Sequence, residues 1–170
     1  VVFVGDTRNN MSYAWMYGCA KMGMHFVTYG PKELHPAENK LAEVKKVAAE
    51  TGAVIEISDN LDSLKGADVI YTDVWVSMGE EVQMEERVRL LTPYRVTMDM
   101  MKATGNTDVK FMHCLPAFHD LETKVAREAN ERSLDVREVT DDVFRSSASI
   151  VFDEAENRMH TIKAVMVATL

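Results

Sequence analysis

Val109-Lys110-Phe111-Met112-His113-Cys114-Leu115-Pro116 is the stretch that decides how this chain folds. Its first half is short, mostly apolar and suited to a buried β-strand. Proline has no backbone N–H to donate and cannot continue a central strand, so the predicted strand spans residues 109–114. Because ligands of open α/β sheets bind beyond the carboxyl ends of the strands, residues 113–116 are predicted to border a binding site.

A second stretch repeats this arrangement earlier in the chain. Residues 68–75 read Asp-Val-Ile-Tyr-Thr-Asp-Val-Trp, an apolar strand pattern that carries Asp73 near its far end. A polar, glycine-containing loop follows at residues 76–81. We therefore expect the two strand ends to carry the chemistry of this protein together.

Apolar runs alternate with helical patterns along the chain, which is typical of a parallel sheet with helices on both faces. Strands are predicted at residues 1–5, 25–29, 54–58, 69–74 and 109–114, with a weaker candidate at 135–139. Helices are predicted at residues 10–22, 36–50, 81–91, 93–103, 121–131 and 150–170. The sequence thus predicts one three-layer, Rossmann-like α/β domain whose parallel sheet has about five strands flanked by helices.

Composition excludes several classes of partner. The 170 residues include 19 basic and 27 acidic side chains, giving a net charge of -8. That charge opposes binding to nucleic acid and to anionic membranes, and no 18-residue apolar run is present to span a bilayer. The two cysteines form neither a disulfide framework nor a zinc-binding spacing, which favours a reducing, cytoplasmic location.

The start of the chain suggests a piece of a longer protein. Its first residues, Val-Val-Phe-Val-Gly-Asp, already follow a buried-strand pattern, whereas natural termini normally begin on the surface. They also lack the basic flank and cleavage signal of an export peptide. We therefore expect a fragment.

The segment Gly5-Asp6-Thr7-Arg8-Asn9-Asn10 links the first predicted strand to the first helix. Free N–H groups and the positive end of the helix dipole favour an anion or a carboxylate here. A dinucleotide is not indicated, since the G-x-G-x-x-G spacing is missing and no acidic residue ends the second strand. For Asn9 and Asn10 two interpretations are equally good, a helix cap and a ligand contact.

Asp73 is a carboxylate in an otherwise apolar strand, where an unpaired charge would be costly. A cationic partner is therefore expected, either a side chain of the same fold or a substrate amine. Ser77, Met78 and Gly79 follow within six residues, and a loop that bends over Asp73 would offer hydroxyl and N–H groups to an amino-acid head group. This spacing favours a ligand.

Cys114 and His113 are not expected to act as nucleophile and base, because adjacent strand residues point to opposite faces. Cys114 is interpreted as a contact group in a dry pocket, with a small buried hydrophobe as the alternative. The bond between Leu115 and Pro116 is a candidate for the cis form. His113 and His119 do not by themselves specify a metal site.

Three segments together resemble the signatures of the ornithine carbamoyltransferase family, in the family's order. They are Asp73-Val-Trp-Val-Ser77-Met78-Gly79, His113-Cys114-Leu115-Pro116 and Glu156-Asn157-Arg158-Met159-His160. Taken alone, Arg158 would be interpreted as a surface salt bridge. The resemblance covers essentially the entire chain but only the ornithine-binding half of such an enzyme. The carbamoyl-phosphate-binding half, with its Ser-Thr-Arg-Thr-Arg phosphate loop, is absent from residues 1–170.

The resemblance implies transfer of the carbamoyl group from carbamoyl phosphate to the δ-amine of L-ornithine, giving L-citrulline and phosphate in arginine metabolism without a metal or organic cofactor. It implies ornithine contacts from Asn10, Asp73, Ser77 and Met78, and carbamoyl phosphate contacts from Cys114, Leu115 and Arg158. The implied catalytic residues are Asp73, Cys114 and Arg158. Asp73 and Cys114 would orient the amine and favour its uncharged form, and Arg158 would polarise the carbamoyl oxygen.

The resemblance also bears on specificity and assembly. The loop 76–81 would close over the substrate and exclude water, and its serine and methionine favour ornithine over putrescine or an acetylated ornithine. The partners implied are the missing amino-terminal domain and further copies in a trimer or larger homo-oligomer. The apolar stripe of the last helix would pack on the missing half, so we expect part of it to be exposed here or packed against another copy. The stripe consists of Met159, Ile162, Val165, Met166 and Leu170.

Two other functions are kept as alternatives. The first is an amino-acid-binding domain with no activity on its own. The second is a flavodoxin-like or receiver-type signalling domain, which shares the alternating pattern. A receiver would need an acidic pair after the first strand and a phosphoacceptor aspartate after the third, whereas only Asp6 directly follows the first strand and the third ends Ser58-Asp59-Asn60.

Overall fold

The computed structural model describes residues 1–76 and 81–170. Within these residues, five parallel strands form one sheet in the order β3-β2-β1-β4-β5. The strands are β1 (Val2–Val4), β2 (His25–Tyr29), β3 (Val54–Ser58), β4 (Val69–Thr72) and β5 (Lys110–His113). The parallel sheet of five strands predicted from the sequence is confirmed.

The weaker strand candidate at residues 135–139 is wrong. Val139 forms only an isolated bridge to Val96. Arg95 Nε donates to Arg137 O at 2.7 Å. This side chain thus bonds a backbone carbonyl that would otherwise pair with a neighbouring strand. The segment is therefore held by one isolated bridge and by side chains, and it does not form a continuous ladder.

Helices cover the sheet and its carboxyl edge. They are α1 (Asn10–Lys21), α2 (Glu38–Thr51), α3 (Met84–Leu91), α4 (Met98–Ala103), α5 (Lys124–Glu131), α6 (Asp141–Phe144) and α7 (Val151–Thr169). Short 3-10 turns lie at Lys32–Leu34, Leu61–Leu64, Glu81–Gln83 and Thr92–Tyr94. The helix predicted at 93–103 is split, because Pro93 belongs to a 3-10 turn and Thr97 caps the start of α4.

The strand order creates a crevice at the carboxyl ends of β1 and β4. The chain runs from β1 outward to β2 and β3, then returns to the other side of β1 to add β4 and β5. The segments that leave β1 and β4 therefore diverge, and ligands of open α/β sheets bind at such a switch point. Asp6 follows β1, Asp73 follows β4 and Cys114 follows β5, so all three residues lie at this edge.

The sheet separates two apolar cores. Val2 and Val4 of β1 pack in one core with α4, α6 and the start of α7, whereas Phe3 packs in the other with α1 and α2. Opposite faces are thus both buried, which confirms the three layers. A third cluster around Trp75 joins α3 and α5 beyond the carboxyl edge and fixes the segment that follows Asp73.

Two glycines let β1 and β2 end close together. A Cβ atom at Gly30 would lie 2.2 Å from the Gly5 carbonyl oxygen. Gly5 itself has a φ of 113°, a conformation that side chains rarely adopt. Both positions therefore need glycine to shape the start of the crevice.

The last helix stands largely apart from the body of the domain. Val151 is buried, whereas every residue from 155 to 170 is exposed. The apolar stripe of α7 is accordingly exposed, as expected, with Ile162 at 48% and Leu170 at 100% of their full exposure. None of the helices that the structure describes is long and apolar enough to cross a membrane.

Candidate functional site

Asp73 lies at the centre of a hydrogen-bond cluster directly beyond β4. Its Oδ1 accepts from the Cys114 thiol at 3.0 Å and from the Val74 N–H at 2.7 Å. Its Oδ2 accepts from Asn9 Nδ2 at 3.0 Å. The sequence predicted a cationic partner for Asp73, either a side chain of the same fold or a substrate amine. Within residues 1–76 and 81–170, no Lys, Arg or His forms an ion pair with Asp73, so the first of these is not found. The charge of this carboxylate is thus available to a ligand.

Asn9 fits the helix-cap interpretation, and its amide also contacts Asp73. Its Oδ1 caps α1 by accepting from the Ser12 N–H at 2.8 Å, while its Nδ2 reaches Asp73. Asn10 is the first residue of α1 and is exposed at the same edge of the sheet. The helix cap therefore orients an amide toward the site.

The Cys114 side chain is a protonated thiol. Burial, followed by the hydrogen bond and charge of Asp73, raises the pKa of its thiol to about 12. The Tyr71 hydroxyl opposes this rise and lowers the pKa of the thiol, but its effect is smaller. A thiolate nucleophile is disfavoured in such surroundings, because the reactive form is the deprotonated one.

The His113 side chain lies on the opposite face of the strand from the Cys114 side chain, as the alternation along a strand predicts. Its Nε2 lies 2.9 Å from Glu138 Oε1, and both side chains are fully buried. Its Nδ1 bonds the carbonyl of Cys114. Although burial opposes the charged ring, Glu138 and that carbonyl raise the pKa of His113. The imidazole therefore links the backbone at Cys114 to the buried Glu138 carboxylate. The Leu115-Pro116 bond is cis, the form for which the sequence made it a candidate.

Glu138 is a further residue of this cluster that was not predicted from the sequence. Its Oε1 also accepts from the Phe118 N–H at 2.6 Å, so it bonds the backbone after Pro116 and the His113 side chain before it. The local signal was weak, because Glu138 lies in the charged stretch Asp135-Val136-Arg137-Glu138, whereas Asp73 follows an apolar strand.

A pocket of about 380 Å³ opens between the end of β5 and α7. It is lined by Met11, His113, Cys114, Leu115, Glu154, Ala155, Asn157, Arg158 and Thr161. The structure thus brings together Cys114, Leu115 and Arg158, which the sequence placed in one site. Arg158 forms no ion pair with the residues that the structure describes, so the surface salt bridge considered for it is not observed. Ser77 and Met78 lie outside the described residues.

A second group of ionisable side chains lies farther along the chain. His119 Nδ1 is 2.6 Å from Asp141 and 3.5 Å from Asp120. These three side chains are close enough to share a metal ion. Arg145 already pairs with both carboxylates, at 2.8 Å from Asp141 and 3.4 Å from Asp120, so the cluster has a cation of its own.

Residues 1–169 match the family described as aspartate/ornithine carbamoyltransferase, Asp/Orn binding domain. The chain belongs to this carbamoyltransferase family. The match includes the segments that hold Asp73, Cys114 and Arg158, so the signatures noted in the sequence are part of a family domain. The flavodoxin-like or receiver-type alternative is therefore wrong.

Relatives of this carbamoyltransferase domain agree in sequence and in fold. The catabolic ornithine carbamoyltransferase of Clostridium perfringens strain 13 is 64% identical over 172 residues, which cover 99% of this chain and 52% of the relative. The solved ornithine carbamoyltransferase of Pyrococcus furiosus is 39% identical with a TM-score of 0.81, covering 97% of this chain and 47% of that one.

The anabolic enzyme of Campylobacter jejuni is 29% identical with a TM-score of 0.83, covering 98% of this chain and 49% of that one. The chain therefore spans about half the length of the carbamoyltransferases it matches.

Proposed function

We propose that residues 1–170 supply the ornithine-binding half of an ornithine carbamoyltransferase. The observation that carries the proposal is Asp73, whose described partners are uncharged donors and whose neighbour Cys114 lines a pocket bordered by Arg158. A carboxylate near one side of a site and a guanidinium on the other suit an amino acid with an ammonium group and a second, oxygen-rich substrate.

The proposed reaction joins the δ-nitrogen of ornithine to the carbonyl carbon of carbamoyl phosphate. The bond between that carbon and the bridging phosphate oxygen breaks, and inorganic phosphate leaves with the electron pair. The nitrogen loses one proton, which the departing phosphate accepts. L-Citrulline and phosphate are the products, and placement of the two substrates supplies much of the rate increase.

Asp73 is assigned to the α-ammonium group of ornithine. A carboxylate stabilises a positive charge on a neighbouring amine, whereas the reacting δ-amine must be uncharged to attack. We therefore revise the expectation that Asp73 favours the uncharged form of the reacting amine. The uncharged δ-amine is instead assigned to the side of the site formed by the neutral thiol of Cys114. Asn10, Ser77 and Met78 complete the ornithine contacts on the strength of the family signatures.

Arg158 is assigned to the carbamoyl oxygen, with Leu115 beside the carbamoyl group. Negative charge develops on that oxygen during attack, and a guanidinium in a site closed to water stabilises it. The absence of a carboxylate partner for Arg158 among the described residues supports this role, because an ion-paired guanidinium would be less available.

The proposal extends to partners and compartment. A carbamoyl-phosphate-binding domain would face the pocket from the side of α7, and the complete enzyme would form a trimer or a larger homo-oligomer. The two cysteines are both free in the structure. A thiol that must stay reduced in the site favours the cytoplasm.

The decisive test measures citrulline formation by this chain joined to a carbamoyl-phosphate-binding half. The Asp73→Asn variant is expected to lower kcat/KM for ornithine by roughly 100-fold, because it removes a charge from a site closed to water, worth about 3 kcal/mol. Asp68→Asn is the matched control, since Asp68 lies at the other end of the same strand. Equal kinetics for the two variants would contradict the assignment.

A second test uses residues 1–170 alone and addresses the alternative function, an amino-acid-binding domain with no activity of its own. This candidate is favoured because the chain spans only about half of its relatives. We expect weak ornithine binding by calorimetry and no citrulline from residues 1–170, since the second substrate has no described phosphate loop to bind. Citrulline formation by the chain alone would overturn the proposal that a separate half of the enzyme binds carbamoyl phosphate.

A further inference from the structure

The outer edge of β5 is completed by the side chain of Glu154. Phe111 N–H donates to Ala148 O at 2.9 Å, and Phe111 O accepts from Ile150 N–H at 3.0 Å. The next outward donor is the N–H of His113, two residues along the strand. Glu154 Oε2 accepts it at 3.1 Å. A carboxylate from the first turn of α7 thus substitutes for a strand carbonyl where β5 ends.

The other oxygen of the same carboxylate bonds the neighbouring strand. Glu154 Oε1 accepts from the Tyr71 hydroxyl at 3.1 Å, and Tyr71 is a fully buried residue of β4. One side chain of α7 therefore joins the ends of two strands beside the site.

The remainder of α7 has little else to hold it. Val151 is 1% exposed, Glu154 is half-buried, and every later residue of the helix is exposed. The direction of the helix is consequently set by its first turn. Arg158 lies four residues after Glu154, on the same helix face, and both line the pocket that contains Cys114.

We infer that Glu154 is a positioning residue, whose two hydrogen bonds set where Arg158 stands relative to Cys114. The inference rests on the proposed function for the transfer step that Arg158 would serve. Glu154 itself is not assigned to either substrate. Loss of its bonds would let the first turn of α7 move, and displacements of about 1 Å at a reacting centre lower rates by up to roughly 100-fold.

The kinetic test uses this chain joined to a carbamoyl-phosphate-binding half. Glu154→Ala is expected to lower kcat by roughly 10- to 100-fold with little change in KM for ornithine, because the Asp73 side of the site is intact. Glu154→Gln is expected to retain most of kcat, since its amide can accept from His113 N–H and donate to the Tyr71 oxygen. Asp153→Ala is the matched control, an exposed carboxylate in the same helical turn.

Two outcomes would overturn the inference: an unchanged kcat for Glu154→Ala, or an equal loss for Glu154→Ala and Glu154→Gln. Should Glu154→Ala fail to fold, Tyr71→Phe removes only one of the two bonds and is expected to give a smaller loss of kcat. An unchanged kcat in that variant would equally overturn it.

A second measurement separates this inference from the proposed function. Amide exchange of His113 in the 170-residue chain is expected to speed up in Glu154→Ala and to stay slow in Glu154→Gln. Unchanged exchange in Glu154→Ala would overturn the anchoring role whatever the activity of the joined protein. Absence of citrulline formation by the unmodified joined protein, with the exchange pattern as expected, would instead count against the proposed function alone.

Discussion

At the scale of single residues, Asp73 helps to hold the Cys114 thiol in its protonated form. The thiol donates to the carboxylate, and burial together with that negative charge keeps the thiol protonated. Replacing Asp73 with asparagine removes the charge but keeps an oxygen acceptor at the same place. The variant therefore separates the electrostatic contribution from the hydrogen bond.

Alkylation of Cys114 reports this coupling directly. Because the thiolate is the form that reacts, iodoacetamide at mildly alkaline pH is expected to modify Cys114 slowly in the unchanged chain and several times faster in Asp73→Asn. Mass spectrometry of the peptide that holds Cys114 measures both rates. Cys19, which is 1% exposed, serves as an internal reference that should react slowly in both. Equal rates at Cys114 would show that Asp73 does not hold the thiol in its protonated form.

The buried pair of His113 and Glu138 predicts a pH dependence of stability. The pKa of His113 is raised in the folded protein, so its stabilising contribution is fully present below the ordinary histidine value of about 6.5 and is lost as pH rises through the raised value. Urea unfolding at several pH values is expected to show this loss in the unchanged chain and a flatter profile in Glu138→Gln. Parallel profiles for the two proteins would contradict the prediction.

At the scale of elements, a buried ion pair fastens α3 to the end of β1. Arg87 Nη1 lies 2.7 Å from Asp6 Oδ2, and the side chains are 11% and 8% exposed. Arg87→Met is expected to lower the free energy of unfolding by about 3 kcal/mol, because it leaves the Asp6 carboxylate buried without its cation. The double variant Asp6→Asn with Arg87→Met should recover part of that loss in chemical denaturation. A double variant less stable than Arg87→Met alone would argue against a charge effect.

At the scale of the whole molecule, the exposed apolar stripe of α7 is expected to drive self-association of the chain by itself. Sedimentation velocity should show larger species as concentration rises, and Ile162→Asp combined with Met166→Asp should reduce them. Lys163→Asp is the matched control, since it makes the same change in net charge at a position outside the stripe. A chain that stays monomeric at all concentrations, or a control that behaves as the double variant does, would refute the role of the stripe.

The strands show how much secondary structure local sequence patterns predict. The strands came from apolar runs closed by proline, glycine or polar residues, because burial on both faces leaves such runs in the sequence. The strand candidate at 135–139 carries three charged residues among its five, and it failed, since its backbone groups bond to side chains and pair only through the single bridge at Val139. Composition alone does not reveal whether a neighbouring strand is available to pair.

The sequence by itself determined the layered α/β fold, the position of Asp73 and Cys114 at strand ends, and the apolar stripe of α7, because periodicity and strand-ending residues are local properties. Only the tertiary structure decided that Asn9 reaches Asp73, that Glu138 supports His113, and that Glu154 joins β4 to β5. Each of these contacts joins residues far apart in the chain. Such contacts depend on the order of the strands and on how α7 leaves the sheet, which no local pattern records.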